Sequence, residues 1–337
     1  MNLIPHSNGL KKIKMKKEKT KSQRLKNIAN IIVGFFLLSF LFQTVSNFIG
    51  NEKIESRLNY AKIDNKKMEY EVSGSGDYTI IFDGSIGANL YEWSETTKSV
   101  EKELGVKTFV YNRNGYGFNE NAEMKTPNEQ AQDLKILLRK AGVSGNLILV
   151  GEEYGSLVMT NFAKLYPESI SGLMLIKPFS EDIIKDEEFK DSIKGKYYKS
   201  KVESMGASVG LTTLMDKLNL AISVDGFEEN LPRGADEEFS IQKNQKRYRQ
   251  AINNELEALY KYNEESQVEG LVAGKPLYII SNDGADPLSK LGSLENTNIY
   301  VTESDKVVMS LTDTESVFTG ISYIVREAKK IERKNNK

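Results

Sequence analysis

Cysteine is absent from the 337 residues, and histidine occurs once, at His6. The first absence excludes disulfides, thiolate metal sites, iron–sulfur clusters and thiol nucleophiles. The second leaves His6, near the extreme N-terminus, as the sole source of an imidazole base or metal ligand. No spacing of acidic residues makes a metal site, and Gly84-Ser85-Ile86-Gly87 lacks the Lys-Ser/Thr that follows the glycines of a phosphate-binding loop, so no cofactor is expected. What is present is a chain with 39% hydrophobic residues and 9% aromatics. That is enough to bury the core of one large α/β domain or two small ones.

The net charge of −1 conceals a split. Nine Lys/Arg against Glu18 alone fill residues 1–50, which leaves a body of 37 basic and 46 acidic residues, a poor partner for nucleic acid. Directly after the basic run, Ile28 to Ile49 carries no charge, the length that spans a bilayer core. The apolar run is longer than a signal-peptide core and no small-x-small cleavage site follows Phe42. The expectation is therefore a basic cytoplasmic tail at 1–27, an uncleaved transmembrane helix at 28–49 and a linker at 50–58. Nine basic residues before the span against five after it (Lys53, Arg57, Lys62, Lys66, Lys67) place the N-terminus in the cytoplasm and the body outside.

In the body, Tyr60–Ile63 and Met68–Val72 flank Asp64-Asn65 as a β-hairpin. Strands at Tyr78–Asp83, Lys107–Asn112, Asn146–Val150 and Ser171–Ile176 then alternate with helices at Leu90–Leu104, after the capping box Thr126-Pro-Asn-Glu129, and up to Leu165. Alternation of this kind implies a mostly parallel sheet with helices on both faces. It breaks at 180–270, which is helical, charged and poor in strands, with its longest helix at Asp236–Asn263. Strands at Pro276–Ser281 and Asn298–Glu303 and a helix at Asp313–Lys330 resume the pattern, giving a core of 59–179 and 271–332, a helical cap at 180–270 and a frayed tail at 333–337.

Several ordered motifs resemble the α/β-hydrolase superfamily, in its branch with a helical cap. Phe82-Asp-Gly-Ser-Ile-Gly87 is similar to the loop that donates an oxyanion-hole amide, and Tyr111-Asn-Arg-Asn-Gly-Tyr-Gly117 to the family's Asp-Arg-x-Gly-x-Gly turn. Leu149-Val-Gly-Glu-Glu-Tyr-Gly155 resembles the Gly-x-Ser-x-Gly nucleophile elbow, with Glu153 in place of serine. The dehalogenase and epoxide-hydrolase branches use aspartate there, but hydrolysis of the resulting ester requires a histidine-activated water. Laid on the family's pattern, the histidine position falls on Val307 or, with a slip of one, Lys306. The acid position falls on Lys177, Asp283 or Asp286.

The resemblance thus implies a degenerate hydrolase without an intact triad. At Glu153 the elbow points a carboxylate toward a helix N-terminus, so the expectation is that it fills the old oxyanion hole, accepting from Tyr154 and from Ser85 or Ile86. Glu152 reads as a wall or solvated residue. The functional expectation is a membrane-anchored, catalytically inactive binding or interaction module for an unknown small molecule or protein. The alternatives are an active hydrolase using Glu153, and a scaffold for a membrane protein.

Overall fold

The computed structural model describes residues 21–54, 59–120, 123–304 and 307–335; within the first helix, side chains at 39, 42, 43 and 46–54 are not described. That helix, α1 (Lys21–Ile54), runs without interruption through the expected tail, span and linker boundaries. Consecutive side chains at Ile31, Ile32, Val33, Phe35, Phe36, Leu37 and Leu38 are all exposed. Successive helical residues turn by about 100°, so apolar surface faces outward on every side of the helix. Among the described residues no helix is long and apolar enough to cross a membrane. The expected span at 28–49 lies within α1, where the side chains at 39, 42, 43 and 46–49 are not described.

The body opens with the hairpin β1 (Asn59–Ile63) and β2 (Lys66–Gly74), turned by Asp64 and Asn65 at φ 49° and 63°. Next come β3 (Thr79–Asp83), α2 (Ser94–Leu104), β4 (Lys107–Tyr111), α3 (Pro127–Lys140), β5 (Leu147–Glu152), α4 (Tyr154–Leu165) and β6 (Ile170–Ile176). Thr126 and Glu129 form the reciprocal capping box at the start of α3. The eight strands are ordered β1-β2-β4-β3-β5-β6-β7-β8, antiparallel at β1/β2 and β2/β4 and parallel from β4 onward; β7 is Leu277–Ser281 and β8 Thr297–Val301. Every residue of β3, β5 and β7 is buried, which is why these strands read as continuous apolar runs rather than alternating ones. One face of the sheet packs α3 and α4; the other packs α2 and the terminal helix α11 (Thr314–Asn335).

Between β6 and β7 lie five helices and no strand: α5 (Glu181–Ile184), α6 (Glu187–Gly206), α7 (Leu211–Lys217), α8 (Ala235–Gln242) and α9 (Lys246–Tyr260). The expected single helix at Asp236–Asn263 is broken at Lys243–Gln245, and α6 is the longest of the five. The break has a local cause. The Asn244 side chain donates to Asp216 (2.9 Å) and accepts from Arg249 (3.2 Å), while its carbonyl accepts from Thr212 (3.2 Å), so its polar groups are satisfied outside a helix. At the C-terminus, residues 333–335 continue α11 rather than forming a tail. A last short helix, α10 (Met309–Thr312), follows β8 and is central to the site.

Candidate functional site

β5 ends at Glu152 and α4 begins at Tyr154, leaving Glu153 alone on the turn with φ 46° and ψ −111°. A non-glycine residue at such angles is strained and is held only by its surroundings. Here the Glu153 amide donates to Ile176 (3.0 Å) and the Gly155 amide to Gly84 (3.1 Å). A Cβ on Gly155 would sit 2.3 Å from the Asp83 carbonyl, so glycine is required for the two turns to touch. Ser156 is no surrogate nucleophile: its hydroxyl donates to the Glu153 carbonyl and accepts from the Phe179 amide at 3.1 Å.

In the loop that the sequence matches to an oxyanion-hole donor, the Ser85 amide is taken by Glu92. Glu92, on the short turn Leu90–Trp93 capped by Asn89, accepts from the Ser85 amide at 3.2 Å and from the Ser85 hydroxyl at 3.3 Å. The Ser310 hydroxyl reaches the same carboxyl at 3.3 Å. Beside it Glu152, fully buried rather than solvated, accepts from the amides of Met309 (2.5 Å) and Ser310 (3.2 Å). Burial, then the Glu152 charge, pushes Glu92 well above the usual carboxyl range. Burial raises Glu152 too, opposed by hydrogen bonds from Ser310, Met309 and Glu92. Of the two, Glu92 is the one held more strongly toward its neutral form.

Glu153 retains a little solvent contact but is pushed up to about 7, by burial first and by Glu152 second; Lys196, Ser85 and Lys177 pull the other way. Its side chain makes no capping hydrogen bond to α4. Of the expected donors to Glu153, the α4 amides make no capping bond to its side chain, while the Ser85 side chain does hydrogen-bond its carboxyl. Glu92 holds the Ser85 amide, and the apolar walls and Glu152 disfavour rather than favour charge at 153.

A second buried network fixes the loop at 84–87. Arg113 pairs with Asp83, reaches Glu255 on α9 at 2.6 Å, and donates to the carbonyls of Gly84 (2.9 Å) and Ser85 (3.0 Å). Its guanidinium lies 5.2 Å from the Tyr154 ring centre. The Tyr116 hydroxyl donates to Glu255 (2.6 Å) and accepts from the Gly87 amide (2.9 Å), and Tyr248 donates to the Gly87 carbonyl (2.6 Å). The helices inserted after β6 thus bolt onto the loop instead of standing clear of it. A cleft of about 660 Å³ lies elsewhere, between α2 and α11, and is lined by no residue of the elbow.

The remaining sequence candidates scatter. Lys177, at φ 43° after β6, donates to the Ser304 carbonyl, and its charge acts on Glu153. Asp283 is exposed and accepts from the Ala285 amide (2.9 Å); buried Asp286 caps Leu288 (2.8 Å). Neither is hydrogen-bonded to Glu153 among the described residues. Val307 is half-buried against the apolar core, while Lys306 and His6 lie outside the described residues. Sequence reasoning missed Glu92, Glu255 and Ser310. The one available signal was an acidic residue flanked by Tyr91 and Trp93 in an apolar stretch, and it does not identify its partner.

The chain belongs to the alpha/beta hydrolase fold family, whose model matches residues 78–310. Among curated proteins it is 28% identical over 106 residues to the uncharacterized protein YqjL of Bacillus subtilis (strain 168), a match that spans 31% of this chain and 41% of YqjL. Among solved structures it is similar to a putative acyltransferase from Salmonella enterica (TM-score 0.63, 14% identity, 80% of this chain and 95% of that one). A putative epoxide hydrolase from Pseudomonas aeruginosa matches with TM-score 0.62 and 10% identity over 81% and 96% of the two chains. An esterase from Exiguobacterium antarcticum matches with TM-score 0.60 and 14% identity over 80% and 99%. At these identities the likeness is one of fold, which hosts many chemistries.

Proposed function

We propose that this protein is a membrane-anchored member of the family that has lost ester-hydrolysing chemistry and acts as a binding or interaction module outside the membrane. One observation carries the loss: the Glu92 carboxyl sits on the Ser85 amide. An oxyanion hole works by offering free donors to developing negative charge. Here the donor is taken by an internal acid, with two further carboxyls beside it. The loop in which the resemblance would put the histidine instead delivers the Met309 and Ser310 amides to Glu152. Support for the anchor comes from the uncharged run at Ile28 to Ile49 and the apolar side chains exposed all round α1.

A second reading, in which Glu153 is a general base, is favoured by its rise to about 7, near the working range of such a group. Used as a nucleophile instead, Glu153 would form a covalent ester whose hydrolysis needs an imidazole, and the one histidine of the chain, His6, precedes the proposed anchor. Fluorophosphonate labelling of the full chain in detergent tests for a surviving serine nucleophile. The proposal expects no labelling above a heat-denatured control; labelling that disappears in Ser156→Ala would show a working serine nucleophile and overturn it.

A further inference from the structure

We infer that the outer edge of α6 and α7 rests on the bilayer, so that the inserted helices form a second, peripheral membrane contact beside the anchor. On α6, Tyr198, Val202 and Met205 are 53%, 49% and 73% exposed. Their spacing puts them in one stripe. On and just after α7, Leu214, Leu218 and Leu220 are 49%, 58% and 55% exposed, and α7 packs against α6. Six large apolar side chains open to solvent on two adjoining helices form a patch, not the scattered exposure normal for a protein surface.

Three observations name lipid as the occupant. First, α1 packs against the short turn Ala207–Val209 that joins α6 to α7, so the helix whose apolar side chains stand exposed all round arrives at this corner. Second, the chain enters the body at the same end. Asn59 pairs with Tyr70, which pairs with Tyr111, the last residue of β4, so β1 begins level with the strand ends that carry the elbow and the insertion. Ile54 and Asn59 are five residues apart, a reach of no more than about 18 Å. Third, Lys194, Lys199 and Lys217 are exposed on the same two helices, and Lys201 lies 4.5 Å from the Tyr197 ring centre. An apolar stripe fringed by lysines and tyrosines is the pattern of a helix lying in the headgroup region of an anionic membrane.

The inference rests on the anchored reading, and its test separates the two. Because the chain has no cysteine, single cysteines can be placed at will. Met205→Cys, Leu218→Cys, Leu37→Cys and Lys102→Cys in the full-length protein would each be labelled with an environment-sensitive fluorophore. The proteins would then be reconstituted into vesicles of phosphatidylcholine with phosphatidylglycerol, with and without a lipid-borne nitroxide quencher. The expected result is a blue shift and loss of most emission at 205 and 218, as at 37, with 102 unaffected. Quenching at 37 but not at 205 and 218 overturns this inference and leaves the anchor standing. No quenching at any position overturns both. A blue shift at 205 and 218 without quenching would mean that protein, a second copy or a partner, covers the patch, and also overturns the inference.

Discussion

At Glu153, burial and the Glu152 charge disfavour ionisation in the folded state alone. The folded protein therefore holds this proton more tightly than the unfolded chain. Stability from this group is fully present below the unfolded value of 4.5 and is lost as pH rises through about 7. Glu153→Gln is expected to stabilise the protein at pH 8 by roughly 1–3 kcal/mol, with the gain vanishing below pH 4.5; urea denaturation of both proteins at the two pH values checks it. A loss of stability at pH 8 would mean that the carboxylate is favourably bound. Glu152 behaves differently, since its truncation strands two buried amides. Glu152→Ala should cost roughly 2–4 kcal/mol, and Glu152→Gln, which keeps a carbonyl acceptor, clearly less, by the same measurement. The strained strand-to-helix turn at Glu153 was legible from the spacing of Gly151 and Gly155. The Glu92–Ser85–Ser310 contact was not, because its parts lie 7 and 218 residues apart and meet only after the sheet is assembled.

Among elements, those with local physical causes were readable: the Asp64-Asn65 hairpin, the boxed start of α3 and the apolar strands of the parallel sheet. The Thr126→Ala substitution removes the side-chain half of that box and should lower stability by about 1 kcal/mol, read as a shifted denaturation midpoint at unchanged slope. The break between α8 and α9 was not readable, because the acceptors and donors that satisfy Asn244 come from α7 and α9 rather than from neighbouring sequence. β5 likewise runs to Glu152, two residues past its apolar stretch. It pairs there with Ile176 of β6, so tertiary pairing extends what hydrophobicity alone would end.

At the scale of the whole molecule, the basic N-terminal tail, the apolar helix and the acidic body fit an orientation with the tail in the cytoplasm. Protease added to intact cells should digest residues 60–337 and spare the tail, as followed by tags at each end; a protected body would reverse the orientation. The central claim is that this hydrolase fold has exchanged its catalytic donors for an internal carboxyl cluster. The most direct test is steady-state turnover of p-nitrophenyl acetate by the purified full chain and by Glu153→Ala. The account predicts equal rates for the two, neither above that of an inert protein at the same concentration. Turnover by the native chain that is lost in Glu153→Ala would contradict it.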